Sequence, residues 1–266
     1  MSIINAIILG LVQGITEFLP ISSSGHLVIA SSLLGIGNAF TFDVLLNFGS
    51  LLALIIYYRQ RIWSIIQRFF SGNEWPLVAK VIVATIPGVA LGLTLSNEVE
   101  KLNGMIWVVI IAQIVIGIPM IVIGKANKNA DDREIEESVG WRLSLKTGIA
   151  QASALIPGVS RSGITILAGL RGNLSAERAA EFSFLLAIPI IAGASLKTLI
   201  SSDGMNFIKN NLAAFTIGNI ICFISGMLAI NFLIKLIGKR GLKDFGWYRV
   251  ILAVVLIFMA LIGIIK

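Results

Sequence analysis

The sequence predicts an all-α integral membrane protein, an inverted-topology repeat of six full transmembrane helices and two re-entrant helix–loop–helix pairs. Three observations carry that prediction. Of 266 residues, 56% are hydrophobic and only 13% charged, too few charges to cover a soluble exterior, and mean hydropathy is +0.92. Apolar stretches of roughly 18 residues or more, enough to cross about 30 Å of hydrocarbon, recur along most of the chain. Two further apolar regions are interrupted, at matching places in the two halves.

The first element, about 2–36, is one of those interrupted regions. Ile3 to Val12 is apolar, but no basic stretch precedes it and no small-residue cleavage site follows, so it does not read as a cleavable signal. The region breaks at Pro20 to Gly25. Proline removes a backbone donor, while serines and glycine favour caps and turns over helix interior. Each flanking piece is too short to span, which fits a pair that dips into the bilayer and returns. Full spans follow at about 41–58, 77–96 and 104–124. The loop Lys125 to Ser138 carries Asp131, Asp132, Glu134, Glu136 and Glu137. Such a cluster could hold a cation, but its place at the boundary between halves reads as a solvated linker.

The second interrupted region, about 141–171, breaks at Pro157 to Gly163, and spans follow at about 178–200, 212–237 and 247–265. Gly10-Leu11-Val12-Gln13 parallels Gly148-Ile149-Ala150-Gln151, and Ser22-Ser23-Ser24-Gly25 parallels Ser160-Arg161-Ser162-Gly163 at the same offset. The chain therefore divides into a first repeat, 1–138, and a second, 139–266, within a single membrane domain. Three spans per half force the second copy to enter inverted, an arrangement in which broken helices meet near the midplane.

The distribution of basic residues fits this layout. One side receives Arg59, Arg61, Arg68, Lys80, the basic residues of 125–146, Arg171, Arg178, Lys235, Lys239, Arg240, Lys243 and Arg249. The other receives only Lys101, Lys197, Lys209 and Lys266. By the positive-inside rule the first side is cytoplasmic and both termini lie outside, in a multi-pass plasma-membrane topology. The net charge of +7 is therefore an orientation signal, and no nucleic-acid partner is expected. The lone cysteine, Cys222, reads as a small lipid- or core-facing residue. Oligomeric state is open as far as a homodimer, since Gly218 and Gly226 could let helices pack closely.

Ionisable groups inside a bilayer are costly, so those in the breaks are functional candidates by default. Gln13 and Glu17, four apart, share one face of the entering helix. His26 is the only histidine, and Arg161 is the only basic residue expected deep inside. Brought together, the two breaks would join a carboxylate, an imidazole, a guanidinium and several hydroxyls to two half-helix N-termini. Such a pocket suits a phosphate group. Glu17 makes sense beside an anion if a divalent cation, Mg²⁺ or Ca²⁺, sits between it and a pyrophosphate, with Gln13 as a neutral helper. Plainer readings stand alongside: Glu17 paired with Arg161, His26 as a hydrogen-bonded core residue, and the serines as helix caps.

Gln13 to His26, QGITEFLPISSSGH, and Pro157 to Thr165, PGVSRSGIT, resemble the two signature segments of the undecaprenyl-diphosphate phosphatase family, the bacitracin-resistance type. Length, repeat layout and spans extend the resemblance over essentially the whole chain. It implies an integral membrane enzyme that removes the terminal phosphate of a C55 polyprenyl diphosphate, returning the lipid monophosphate carrier to cell-wall polymer synthesis. The family's (E/Q)xxxE motif falls on Gln13 and Glu17, its serine–histidine segment on Ser22, Ser23, Ser24 and His26, and its PGxSRSxxT motif on Pro157 through Thr165. Many members carry glutamate where this chain has Gln13, which leaves more of a cation's charge balance to Glu17 and the substrate.

The expected catalytic residues are Glu17, Ser23, His26 and Arg161. Ser22, Ser24, Gly25, Ser160, Ser162, Gly163 and Thr165 are expected to contact substrate, and Glu17 with Gln13 to hold the cation. Ser23 is the preferred nucleophile with His26 as its base or acid, and attack by His26 or by an activated water stays open. The active site should open to the outer face. The rival reading is a transporter or flippase that binds a polyprenyl phosphate or another anion in the same midplane pocket. A carrier has no use for a serine–histidine pair, and phosphate release separates the two.

Overall fold

The computed structural model describes residues 1–37, 39–72, 75–102, 105–124 and 130–265, apart from the side chains of 96, 97 and 100. Lys125, Lys128 and Lys266, which contribute to the charge asymmetry, lie outside the described residues. The described elements are helical, and an isolated bridge joins Asp131 to Leu174.

The first break separates α1 (Ile3–Phe18) from α2 (Ser23–Leu33). Beyond it come α3 (Phe40–Tyr57), α4 (Arg59–Phe70), α5 (Trp75–Thr94), α6 (Ser96–Leu102) and α7 (Ile106–Ile123). A four-residue turn, α8 (Ile135–Ser138), leads to α9 (Trp141–Ala152), and a 3₁₀ turn at Ser153–Leu155 leads to α10 (Arg161–Arg171). The chain ends with α11 (Ala176–Ile200), α12 (Ser202–Asn210), α13 (Leu212–Arg240) and α14 (Lys243–Leu261). Six of these, α3, α5, α7, α11, α13 and α14, are long and apolar enough to cross a membrane, at the positions the hydropathy indicated.

α4, α6 and α12 are additions to the expected layout. Each follows a span directly and is too short and too charged to cross. α4 buries none of its side chains and exposes Trp63 and Phe70 beside Arg59 and Arg68, the composition of a helix lying at a membrane surface.

Each entering helix packs closely on a span of the other part of the chain, α1 on α13 and α9 on α5, beside the span–span contacts of α7 with α14 and α3 with α13. Glycine makes both entering-helix contacts possible. A Cβ on Gly10 would run into the Gly218 carbonyl, one on Gly14 into Ser225 and the Cys222 carbonyl, and one on Gly148 into the Ala84 backbone. Without Cβ atoms the backbones approach closely, the usual route to helix association in lipid. Gly218 and Gly226 are accordingly spent inside the chain, against α1 and α3.

The linker is more than a solvated strap. Arg61 on α4 pairs with Glu136 at 2.5 Å and Glu181 at 2.9 Å, and Arg178 pairs with Glu181 at 3.0 Å and Glu134 at 3.2 Å. Lys80 of α5 donates to the Glu136 carbonyl at 3.0 Å. Burial works against the Arg61 charge, but Glu136 and Glu181 more than offset it and hold the guanidinium above its ordinary pKa. Arg133, hydrogen-bonded to Asp131, holds that carboxyl below the usual range. The carboxylates of 131–137 thus serve largely as partners for cations on the helices around them.

Candidate active site

Each break is closed by a serine in an uncommon backbone state. Ser22 has φ 77° and ψ 99°, Ser160 φ 72° and ψ 105°, a region that non-glycine residues reach only at a cost of about 1–3 kcal/mol. Each serine recovers part of that cost as an N-cap. Ser22 Oγ accepts from Gly25 N at 3.3 Å and Ser160 Oγ from Gly163 N at 3.1 Å. The hydroxyls two residues on complete matching pairs, Ser22 with Ser24 at 3.2 Å and Ser160 with Ser162 at 3.3 Å.

The breaks are laced to each other. Ser24 Oγ accepts from Gly158 N at 3.2 Å, and Ser162 Oγ donates to the Leu19 carbonyl at 3.1 Å. The tightest tie is ionic: Arg161 Nη2 donates to Glu17 Oε1 at 2.8 Å, with both side chains 11% exposed. On the other carboxylate oxygen, Oε2, Glu17 accepts from Ser23 Oγ at 2.5 Å and Gln13 Nε2 at 3.1 Å. Gln13 Nε2 also donates to Asn47 Oδ1 at 2.7 Å. One carboxylate therefore gathers a hydroxyl, a guanidinium and an amide from both halves of the chain.

These groups face a cavity of about 220 Å³. Gln13, Glu17, Ser22, Ser23, Ser24, Ser160 and Arg161 line it, all indicated by the sequence. Gln151 of α9, the repeat counterpart of Gln13, lines it as well, and so do Asp43 and Asn47 of α3, which belong to neither break motif. Asp43 had a signal, being an ionisable residue inside a full span.

Five expected site residues turn elsewhere, Ser162 among them with its hydroxyl on the Leu19 carbonyl. Gly25 and Gly163 give their N–H groups to the serine caps and their bare Cα faces to neighbours, Val109 and Gln113 in one case and Met120 in the other. Thr165 Oγ1 bonds the Arg161 carbonyl at 2.8 Å and Ser183 Oγ at 2.7 Å. His26 holds the Ser22 carbonyl through Nδ1 at 2.7 Å, which makes Nδ1 the protonated nitrogen. Nε2 meets Tyr248 Oη, also at 2.7 Å, and accepts from it when the ring is neutral. The imidazole stacks on the Tyr248 ring, and the Ser23 hydroxyl goes to Glu17 instead.

Arg249 corrects the charge assignment made from sequence. It is fully buried, not on the basic flank. α14 begins at Lys243, so Arg249 sits about 9 Å along it at ~1.5 Å per residue. Its Nη2 donates to the Gly158 carbonyl at 2.7 Å and the Ala112 carbonyl at 3.1 Å, and Nη1 approaches the Pro20 carbonyl at 3.4 Å. This second deep arginine thus ties both breaks to α7, and its neighbour Tyr248 holds His26. No local spacing could show a contact 229 residues apart.

A protein-family model described as bacitracin resistance protein BacA matches residues 6–255. An undecaprenyl-diphosphatase of Bdellovibrio bacteriovorus is 37% identical over 273 residues, covering 99% of this chain and 98% of that protein. Proteins of the same name from Flavobacterium johnsoniae and, as undecaprenyl-diphosphatase 1, from Oenococcus oeni are 35% and 39% identical, each over at least 96% of both chains.

Proposed function

The chain belongs to the bacitracin resistance protein BacA family, and from that membership and the site we infer that it is an integral membrane phosphatase. Its substrate is undecaprenyl diphosphate, and its products are undecaprenyl phosphate, the lipid carrier reused in cell-wall polymer synthesis, and inorganic phosphate. The structural observation that carries the chemistry is the Glu17 carboxylate, which holds the Ser23 hydroxyl on one oxygen and Arg161 on the other. A carrier would need neither an activated hydroxyl nor relatives named for hydrolysis, so the flippase reading is set aside.

Ser23 Oγ attacks the terminal phosphorus while Glu17 Oε2 takes its proton. The bond from that phosphorus to the bridging oxygen breaks, and undecaprenyl phosphate leaves. Water then attacks the phosphoserine, the Oγ–P bond breaks, Ser23 regains a proton and inorganic phosphate departs. Arg161 clamps the phosphoryl oxygens, aided by first-turn N–H groups of α2 and α10. Glu17 takes the base role that spacing alone gave to His26, and His26 holds the Ser22 turn that aims Ser23. Ser22, Ser24 and Ser160 serve as caps and cavity wall; Ser162, Thr165, Gly25 and Gly163 support them from behind.

A divalent cation, Mg²⁺ or Ca²⁺, fits the wall formed by Gln13 and Glu17. Gln13 Oε1 is sealed from solvent without a hydrogen-bond donor among the described residues, and a buried orphan oxygen is the kind of atom an ion satisfies. When bound, the cation supplies charge neutralisation for the diphosphate. The prenyl tail leaves the cavity for an apolar groove of about 540 Å³ between α4, α5 and α11, lined by Ile62, Val81, Ile86 and Leu185. On α5, Gly88 faces the cavity and Val89 the groove.

The matched serine caps and the crossed contacts of α1 with α13 and α9 with α5 support two inverted repeats, 1–138 and 139–266, with re-entrant pairs at 2–36 and 141–171. With the basic flank cytoplasmic, the protein lies in the plasma membrane with both termini outside and the site open to the outer face. Phosphate release by purified protein from undecaprenyl diphosphate, with and without chelator, tests the function. Release that chelator suppresses supports it. Intact, lipid-binding protein that releases none would restore the carrier reading.

A further inference from the structure

Asp43 lies in the first turn of α3 and lines the same cavity as Glu17. Its Oδ1 is sealed from solvent and has no hydrogen-bond partner among the described residues. A carboxylate oxygen sealed from solvent without a donor is costly. The position is connected to the known groups. Asn47, one turn on and on the same helix face as Asp43, accepts the Gln13 amide at 2.7 Å, and that amide also reaches Glu17. Two more orphan oxygens belong to cavity-lining side chains, Gln13 Oε1 and Gln151 Oε1. Three oxygens of the cavity wall are thus without a donor among the described residues, although Arg161 stands in it with Nη2 on Glu17.

We propose that Asp43 is a ligand of the divalent cation, the second carboxylate that Gln13 does not supply. The proposal rests on the phosphatase reading for the identity of the site. Among the described residues no three Asp, Glu, His or Cys side chains cluster as a metal cage. That matches an ion held by one or two carboxylates and completed by substrate phosphate, amide oxygens and water, the usual manner of Mg²⁺. It also divides the labour on the wall: with Asp43 carrying the ion, Glu17 Oε2 stays free to accept the Ser23 proton.

The test is an electron paramagnetic resonance titration of purified protein with Mn²⁺, alone and with inorganic pyrophosphate, beside phosphate release measured across a range of metal concentration. Wild type should bind Mn²⁺. Asp43→Asn should weaken that binding at least tenfold and raise the metal concentration for half-maximal release by a similar factor, with release returning at high metal. Ser23→Ala should bind Mn²⁺ normally while its phosphate release falls by about 10²–10⁴-fold. Asn47→Asp, which adds a carboxylate one turn away, should tighten binding at least threefold, and stands in if Asp43→Asn does not fold. Equal Mn²⁺ affinity in wild type and Asp43→Asn, no tightening by Asn47→Asp, or no Mn²⁺ binding by wild type even with pyrophosphate would overturn the proposal. Mn²⁺ binding through Asp43 in a protein that releases no phosphate would instead overturn the phosphatase reading and leave the cation site standing.

Discussion

Arg249→Met separates what the buried arginine does for stability from what it does for the site. The guanidinium makes two hydrogen bonds of ordinary length, to Gly158 and Ala112, and one long contact to Pro20. Bonds from a charged donor are worth about 1.5–3 kcal/mol each, so losing two costs about 3–6 kcal/mol. Against this, no carboxylate pairs with Arg249 among the described ion pairs, and burying an unpaired ion costs several kcal/mol that methionine recovers. The two contributions nearly cancel, leaving a net change of about 3 kcal/mol or less. The tie between the breaks is lost all the same. Misplacement of reacting groups by about 1 Å can cost on the order of 100-fold, so kcat should fall about 10- to 100-fold while KM changes little. Thermal unfolding in detergent and steady-state phosphate release read the two effects separately. A variant that melts near wild type and turns over at the wild-type rate would refute the positioning role. One that cannot be isolated folded would refute the cancellation.

Three other outcomes follow from the same geometry. Ser23→Ala should lower phosphate release by about 10²–10⁴-fold, and wild type quenched during turnover of substrate labelled on the terminal phosphate should carry label on Ser23; label on His26, or none, would point to another nucleophile. Arg161→Lys keeps a charge near Glu17 but loses the planar fork, so release should fall at least about tenfold with some binding retained, as measured by KM and lipid-binding titration. Gly148→Leu would drive a side chain into the Ala84 backbone. It should cost more than the ~1–3 kcal/mol of ordinary overpacking, seen as aggregation on size-exclusion chromatography, whereas Gly140→Ala, with open space around it, should behave as wild type.

The spans and the breaks were legible because each rests on local chemistry. Uninterrupted apolar length marks α3, α5, α7, α11, α13 and α14, and Pro20 and Pro157 with their serines mark the turns. The Glu17–Arg161 pair was legible as one of two readings, since two charges in two matching breaks have few other partners. What stayed hidden depends on tertiary direction. Ser23 and His26 are three apart, which suggested a working pair, yet one points to α1 and the other to Tyr248 on α14. Arg249 lies close enough to a basic run to look cytoplasmic, and only the start of α14 at Lys243 puts it deep. Asp43 and Asn47 sit in an otherwise apolar span, where their i, i+4 spacing was visible but no neighbour showed which wall they join.

The central claim is that one phosphatase site is built from both breaks, and it is tested most directly by a double-mutant cycle on phosphate release. Glu17→Ala, Arg161→Ala and the double variant would be compared with wild type on undecaprenyl diphosphate. Residues that act as a unit are strongly non-additive. Each single change should therefore cost at least about 100-fold, and the double variant should be little worse than either single one. Near-wild-type release by Arg161→Ala, or losses that simply multiply in the double variant, would contradict a shared site.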